Sequence, residues 1–176
     1  MNIFFKFFFY SKRIHPSLCE QIEAKDIYGN TPLLSAARAL NIHAVLNLLD
    51  VGAILDATNN DNENILHLLA YRDINDLTED DSLQTIGLLK KLERRNQNRE
   101  LLKDLLSKLT NSANETPLFY AASSNRLNLA KFYLRRGNPA MVNAPNINGD
   151  TPLHIAVQRG NRAMVDLFIR KFVSSF

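Results

Sequence analysis

The sequence predicts an all-α chain: a solenoid of about four stacked helix-turn-helix units, with an enlarged second unit and a partial N-terminal capping helix. Three observations carry that expectation. Thr-Pro-Leu heads an apolar run at Thr31, at Thr116 and at Thr151. Small residues follow each copy (Ala36-Ala37, Ala121-Ala122, Ala156), and then come a turn and a second apolar helix. The capping positions Thr31, Asn64, Thr116 and Thr151 lie 33, 52 and 35 residues apart, one period with one stretched interval. A helical hairpin of this size cannot bury its own apolar side, so each copy needs a neighbour built the same way.

Residues 146–168 are the clearest copy. Thr151 supplies an N-cap oxygen, and Pro152 at the first helical position loses nothing by lacking an N–H. Leu153, Ile155, Ala156 and Val157 make a short apolar helix, which Gly160-Asn161 ends. Met164, Val165, Leu167 and Phe168 give the second helix its apolar face. A period near 33 with T-P-L-H-x-A is a repeat signature, and on these residues the chain resembles the ankyrin-repeat family over nearly all its length after residue 22. The resemblance implies an ankyrin-repeat solenoid. It divides the chain into an N-terminal capping helix and loop (1–25) and repeats at 26–58, 59–110, 111–145 and 146–176.

In chain order, residues 1–10 are apolar apart from Asn2 and Lys6 and are too short to span a bilayer. They show no clear secretory cleavage site. The favoured reading is a remnant second helix over residues 3–12 that caps the first full repeat. A membrane-touching or partner-binding N-terminus is the second reading, since Lys12, Arg13 and His15 suit an anionic surface. A gene-model artefact is the third.

In repeat one, Gly29 is expected at positive φ in the turn, and Leu33, Ala36 and Ala37 face inward. Leu40 sits where the family has Gly, which leaves the inter-helix turn open by about a residue. Val45, Leu46, Leu48 and Leu49 carry the second helix. In repeat two, Asn62 replaces the turn Gly and Asn64 replaces the capping Thr; Asn serves both purposes. This unit overruns by 19 residues. Asp73, Asp76, Glu79, Asp80 and Asp81 read as an acidic loop. Leu83, Ile86, Leu89 and Leu92 predict a helix over 82–94, and Leu101 to Leu109 predict another over 98–109. The sequence does not say which of the two completes the repeat. In repeat three, Leu118, Ala121 and Ala122 face inward and Asn125 takes the turn. Leu127, Leu129, Phe132 and Leu134 form the second helix, which Gly137-Asn138-Pro139 stops. The last helix is expected to reach Phe172 or beyond.

No reacting group stands out. The four His residues have no zinc-helix spacing, and Cys19 is the only cysteine, so no internal disulfide forms. His67 and His154 match the family histidine whose ring hydrogen-bonds within the stack, and this role is preferred to metal binding or proton transfer. Ser123-Ser124 lack the glycines of a nucleophile elbow, and no phosphate loop or dinucleotide fingerprint occurs. The expectation is therefore no enzyme activity, no cofactor and no metal. Net charge of +3 is too mild to imply nucleic acid. The basic run Lys90, Lys91, Arg94, Arg95, Arg99 and Lys103 reads as a solvated face before it reads as a phosphate or acidic-partner site. Asn114-Glu115-Thr116 is formally a glycosylation sequon but falls at a helix cap, where it reads as coincidence.

What the resemblance implies is binding of another protein through turn tips and a concave helix face. By position the contact residues are Ile27, Tyr28, Asn30, Arg38 and Ala39 in repeat one, and Asn60, Asp61, Glu63, Tyr71 and Arg72 in repeat two. Repeat three contributes Ser112, Ala113, Glu115, Ser123 and Ser124; repeat four contributes Ile147, Asn148, Asp150, Gln158 and Arg159. Tyr28 and Tyr71 are the expected anchors. A targeting fragment of a larger enzyme is the runner-up, and an effector of an intracellular bacterium or virus the third reading. The expected location is cytoplasmic, the host cytoplasm for an effector. Phe168, Ile169, Phe172, Val173 and Phe176 crowd one end, so self-association through an apolar end is expected.

Overall fold

The computed structural model describes residues 20–71, 79–94, 98–107 and 110–173. The cap expected over residues 3–12, Cys19, Arg72, the acids Asp73 and Asp76, the break at Asn96-Gln97 and the side chains of Phe172, Val173 and Phe176 lie outside that description. The described chain is all-α, with no strand among the described residues and a lone bridge between Thr58 and Asn64.

The helices come in pairs. Helices α1 (Pro32–Arg38) and α2 (Ile42–Asp50) form the first, and α3 (Ile65–Ala70) opens the next. Then come α4 (Glu79–Arg94) and α5 (Asn98–Ser107), the pair α6 (Pro117–Ser123) and α7 (Leu127–Arg136), and the pair α8 (Pro152–Gln158) and α9 (Arg162–Val173). A 3-10 turn, Pro139–Val142, follows α7. The short helices α1, α3, α6 and α8 pack side by side in chain order and make one layer. The longer helices α2, α4, α7 and α9 pack behind them in the same order. Among the two candidates that the sequence left open, α4 is the one that packs between α2 and α7, so it completes the second unit. Helix α5 is the surplus element and lies against α4 and α7.

The reason for this stacking is the small-residue position. Ala37, Ala70 and Ala122 are fully buried, so adjacent short helices approach closely. Around them Leu33, Leu66 and Leu118 are buried to 1% exposure or less, each worth about 1.5–3 kcal/mol of transfer energy. Each pair turns on one residue at positive φ: Leu40 (51°), Asn125 (56°) and Gly160 (66°). Leu40 therefore holds the family's glycine position without a shift in register. Its side chain joins the core at 9% exposure, which offsets the left-handed backbone.

Helix starts differ from expectation in three places: at α4, at Thr116 and at Thr151, whose hydroxyl meets His154 Nδ1 at 2.9 Å and no helix amide. Helix α4 begins at Glu79, so Glu79, Asp80 and Asp81 form its first turn and not a loop. Acidic residues at a helix N-terminus complement the helix dipole, a signal that reads as loop composition when only charge is counted. Thr31 and Asn64 accept from amides of their own helices, Leu34 N at 3.4 Å and Leu66 N at 2.9 Å. Thr116 caps nothing: its Oγ1 is buried without a hydrogen-bond partner.

One buried cation ties the second unit to the third. Arg126, 2% exposed at the start of α7, donates from Nη1 to the Leu69 carbonyl. Its Nη2 donates to Thr85 Oγ1 at 2.8 Å and its Nε to Ser82 Oγ at 3.4 Å. One guanidinium thus ties the end of α3 and the first half of α4 to α7. Tyr133, fully buried, donates to the Leu66 carbonyl at 2.9 Å. No helix among the described residues is long and apolar enough to cross a membrane.

Candidate functional site

Between the pairs the chain makes four fingers, each built on an Asx residue. Asp26, Asn59, Asn111 and Asn146 each accept two backbone amides through one side-chain oxygen, from residues two and four ahead, at 2.8–3.1 Å. Each also closes its finger with a backbone bond to the residue four ahead, as in Asn146 N to the Asp150 carbonyl at 2.8 Å. This is why Asp and Asn recur at the base of each unit: their short side chains can bond the backbone two residues on. The amides of Asn30, above all, hold the Asp26 carboxyl below the usual carboxylate range.

Neighbouring fingers are clipped together. Asn60 N donates to the Tyr28 carbonyl at 3.0 Å, Ser112 N to Asp61 at 2.7 Å and Ile147 N to Ala113 at 3.0 Å. Gly29, at φ 78°, lies so close to the next finger that a Cβ there would meet Asn60 Oδ1 at 2.2 Å. The expected positive φ at this glycine is thus seen, and close approach adds a second reason for it.

These fingers hold large apolar groups in water. Ile27 is 86% exposed, Tyr28 64% and Ile147 70%. Asn60, Asp61, Ser112 and Asn148 are exposed beside them, and Ala113 and Asp150 are half-buried. Asn30 lies inside, with its side chain accepting from Asn59 Nδ2 at 3.1 Å. Ser124 is buried as well. Neither offers a contact at the surface, because a residue beside a turn or at a helix end can point into the stack.

At the C-terminal ends of the short helices, Arg38, Ala39, Gln158 and Arg159 are exposed and Ser123 is half-buried. Tyr71, 46% exposed, is not isolated: the Arg38 guanidinium stands 5.2 Å from its ring centroid and the Tyr120 ring 6.3 Å away. Tyr120 was missed by the sequence reading. Its hydroxyl donates to Glu63, crossing from one unit to the next, and accepts from Asn111 Nδ2 at 3.0 Å. Burial, then the bond to Glu63, raises its pKa above the ordinary phenol value. The signal available was the aromatic at the variable position of Thr-Pro-Leu-Phe-Tyr. Glu63 also accepts from Asn59 Nδ2 at 2.7 Å, and Glu115 accepts from Asn111 Nδ2 at 3.2 Å.

Beneath this face His67 is buried. Its Nδ1 accepts the Asn64 amide at 3.1 Å, which leaves Nε2–H to donate to the Glu115 carbonyl of the next unit at 3.0 Å. Burial holds its pKa down to about 4, against the smaller upward pull of that bond and of Glu63. His154 makes the matching bond to the Thr151 amide at 3.1 Å and is exposed. Val157 there is 60% exposed, although the matching Ala37, Ala70 and Ala122 are fully buried; Ile169 is 48% exposed. Of the basic run, Lys90, Lys91 and Arg94 are exposed on α4 and Lys103 on α5. Residues 92–174 match the family model for ankyrin repeats, three copies. Comparison with curated proteins returned no match.

Proposed function

The chain belongs to the ankyrin-repeat family, and from that premise we propose that it is a non-catalytic module that binds a partner protein through its finger tips and concave face. Ankyrin repeats are generally protein–protein interaction modules. The observation that supports the finer reading is the row of exposed tip residues, Ile27, Tyr28 and Ile147, on fingers fixed by Asx turns. Large side chains on pre-ordered backbone cost little further entropy on binding, and aromatics tend to dominate binding energy. Tyr71, held between Arg38 and Tyr120, is the anchor on the helix face. The boundaries 26–58, 59–110, 111–145 and 146–176 are proposed as the unit divisions and the cytoplasm as the location. Self-association through the outer face of the last pair is supported by the exposure of Val157 and Ile169. Sedimentation of a strict monomer at high concentration overturns that last point.

The module itself is tested by replacing Tyr28, Tyr71 and Ile147 with Ala together. Partners captured from lysate by the parent protein should be lost by more than about tenfold, with the unfolding midpoint little changed. Undiminished capture by a folded triple variant refutes the concave-face reading.

A further inference from the structure

We propose that the cavity enclosed by α4, α5 and α7 is a binding site for a small aliphatic carboxylate. This cavity, about 200 Å³ in volume, exists because of the surplus helix. The other helix pairs carry no counterpart of α5, which lies over the C-terminal ends of α4 and α7. Two polar bonds pin α5 there. Asn64 Nδ2 donates to the Leu105 carbonyl at 3.0 Å, and Asn138 N donates to Ser107 Oγ at 2.7 Å. The walls are thus set by contacts on both sides of the space and not by the helix alone.

The floor is apolar. Leu66, Leu89, Leu102, Leu106, Phe132 and Tyr133 line it, and none is more than 7% exposed. The one polar atom among these side chains, the Tyr133 hydroxyl, is already spent on the Leu66 carbonyl. Among the described residues the lone buried side-chain atom without a partner is Thr116 Oγ1, which is not in this lining. A polar ligand body would find nothing to bond here, so the occupant must be apolar over most of its length. The volume equals that of about seven waters, room for a short alkyl chain and not for a large ring system.

The rim carries charge, with an excess of cations. Arg136 is committed to Glu93, with Nε at 2.7 Å from Oε1, and its guanidinium covers the Phe132 ring at 4.6 Å. Lys103 stands 3.7 Å from Glu100. That leaves Arg135, which has no carboxylate partner among the described residues. An apolar slot with Arg135 in its lining, without a carboxylate partner among the described residues, fits a chain that ends in a carboxylate, which the planar fork of Arg can grip in two places.

The test is an amide-proton NMR titration of the full chain with octanoate, octanol and octylamine. Octanoate is expected to move resonances of α4, α5 and α7 and to bind at least about tenfold more tightly than the amine or the alcohol. A tenfold preference corresponds to about 1.4 kcal/mol, the scale of one charge-assisted contact. Arg135→Glu, a surface change, should abolish that preference. Leu102→Phe, which narrows the slot, should weaken all three probes by about tenfold if thermal unfolding shows it folded; if it does not fold, Arg135→Glu alone decides. Shifts absent at the solubility limit or confined to other helices overturn the proposal. So do equal binding of octanoate and octylamine and an unchanged preference in Arg135→Glu.

Discussion

Acid sensitivity should be concentrated in one buried ring. His67 is fully buried, its Nδ1 must stay unprotonated to accept the Asn64 amide, and its pKa is held down to about 4. In the unfolded chain the same ring titrates at the ordinary imidazole value of 6.5. Because the folded value is the lower one, the unfolded state takes up the proton first. Stability is complete above pH 6.5 and is lost as pH falls from 6.5 towards 4. Linkage gives a loss of about 2 kcal/mol between pH 7.5 and pH 5, and about 3 kcal/mol below pH 4.

His67→Phe isolates this contribution. Phe119, 2% exposed, already occupies the matching position in α6, so the stack accommodates an apolar ring there. The variant gives up two hydrogen bonds and should be about 2 kcal/mol less stable than the parent at pH 7.5. It has no ring to protonate, so the two proteins should converge at pH 5. Urea unfolding at both pH values measures the four free energies. The Glu23 carboxyl, whose pKa burial raises, titrates alike in both proteins and cancels in the difference. Equal losses of stability in parent and variant would refute the reasoning, because the acid sensitivity would then reside elsewhere.

Two contrasts extend the same logic. Gly29→Ala should cost about 3 kcal/mol in thermal or urea unfolding, since its Cβ would meet the next finger, 2.7 Å from the Asn60 backbone nitrogen. Gly149→Ala, at φ 82° with nothing within 4 Å, should cost only the backbone strain of about 1 kcal/mol, and equal costs would sink the close-approach argument. Thr116→Val removes a buried hydroxyl without a partner and should stabilise the chain by about 1 kcal/mol. Thr31→Val removes a working cap and should destabilise it by a similar amount, as read by the same unfolding assay.

The repeat was legible because it is written in local chemistry. The caps Thr31 and Asn64, Pro at the first helical position and the turn residues Gly29, Asn62, Asn125 and Gly160 each act on a neighbouring backbone, so their identity and spacing suffice. The exposed tips Ile27, Tyr28 and Ile147 followed from the family resemblance, position by position. Asn30 and Ser124 did not, because whether a turn residue points out or in depends on the unit stacked beside it. Tyr120 went unseen for the same reason: its partners Glu63 and Tyr71 are 57 and 49 residues away.

By itself, the sequence determined that this chain is a row of helical hairpins and where each hairpin begins, since those signals are carried within a few residues. Tertiary structure alone decided that α4 and not α5 joins the outer layer. It also decided that Arg126 fastens α3 and α4 to α7, and that the surplus helix walls a space. Amphipathic periodicity shows that a helix has an apolar side, but the partner of that side is chosen by contacts between residues far apart in the chain.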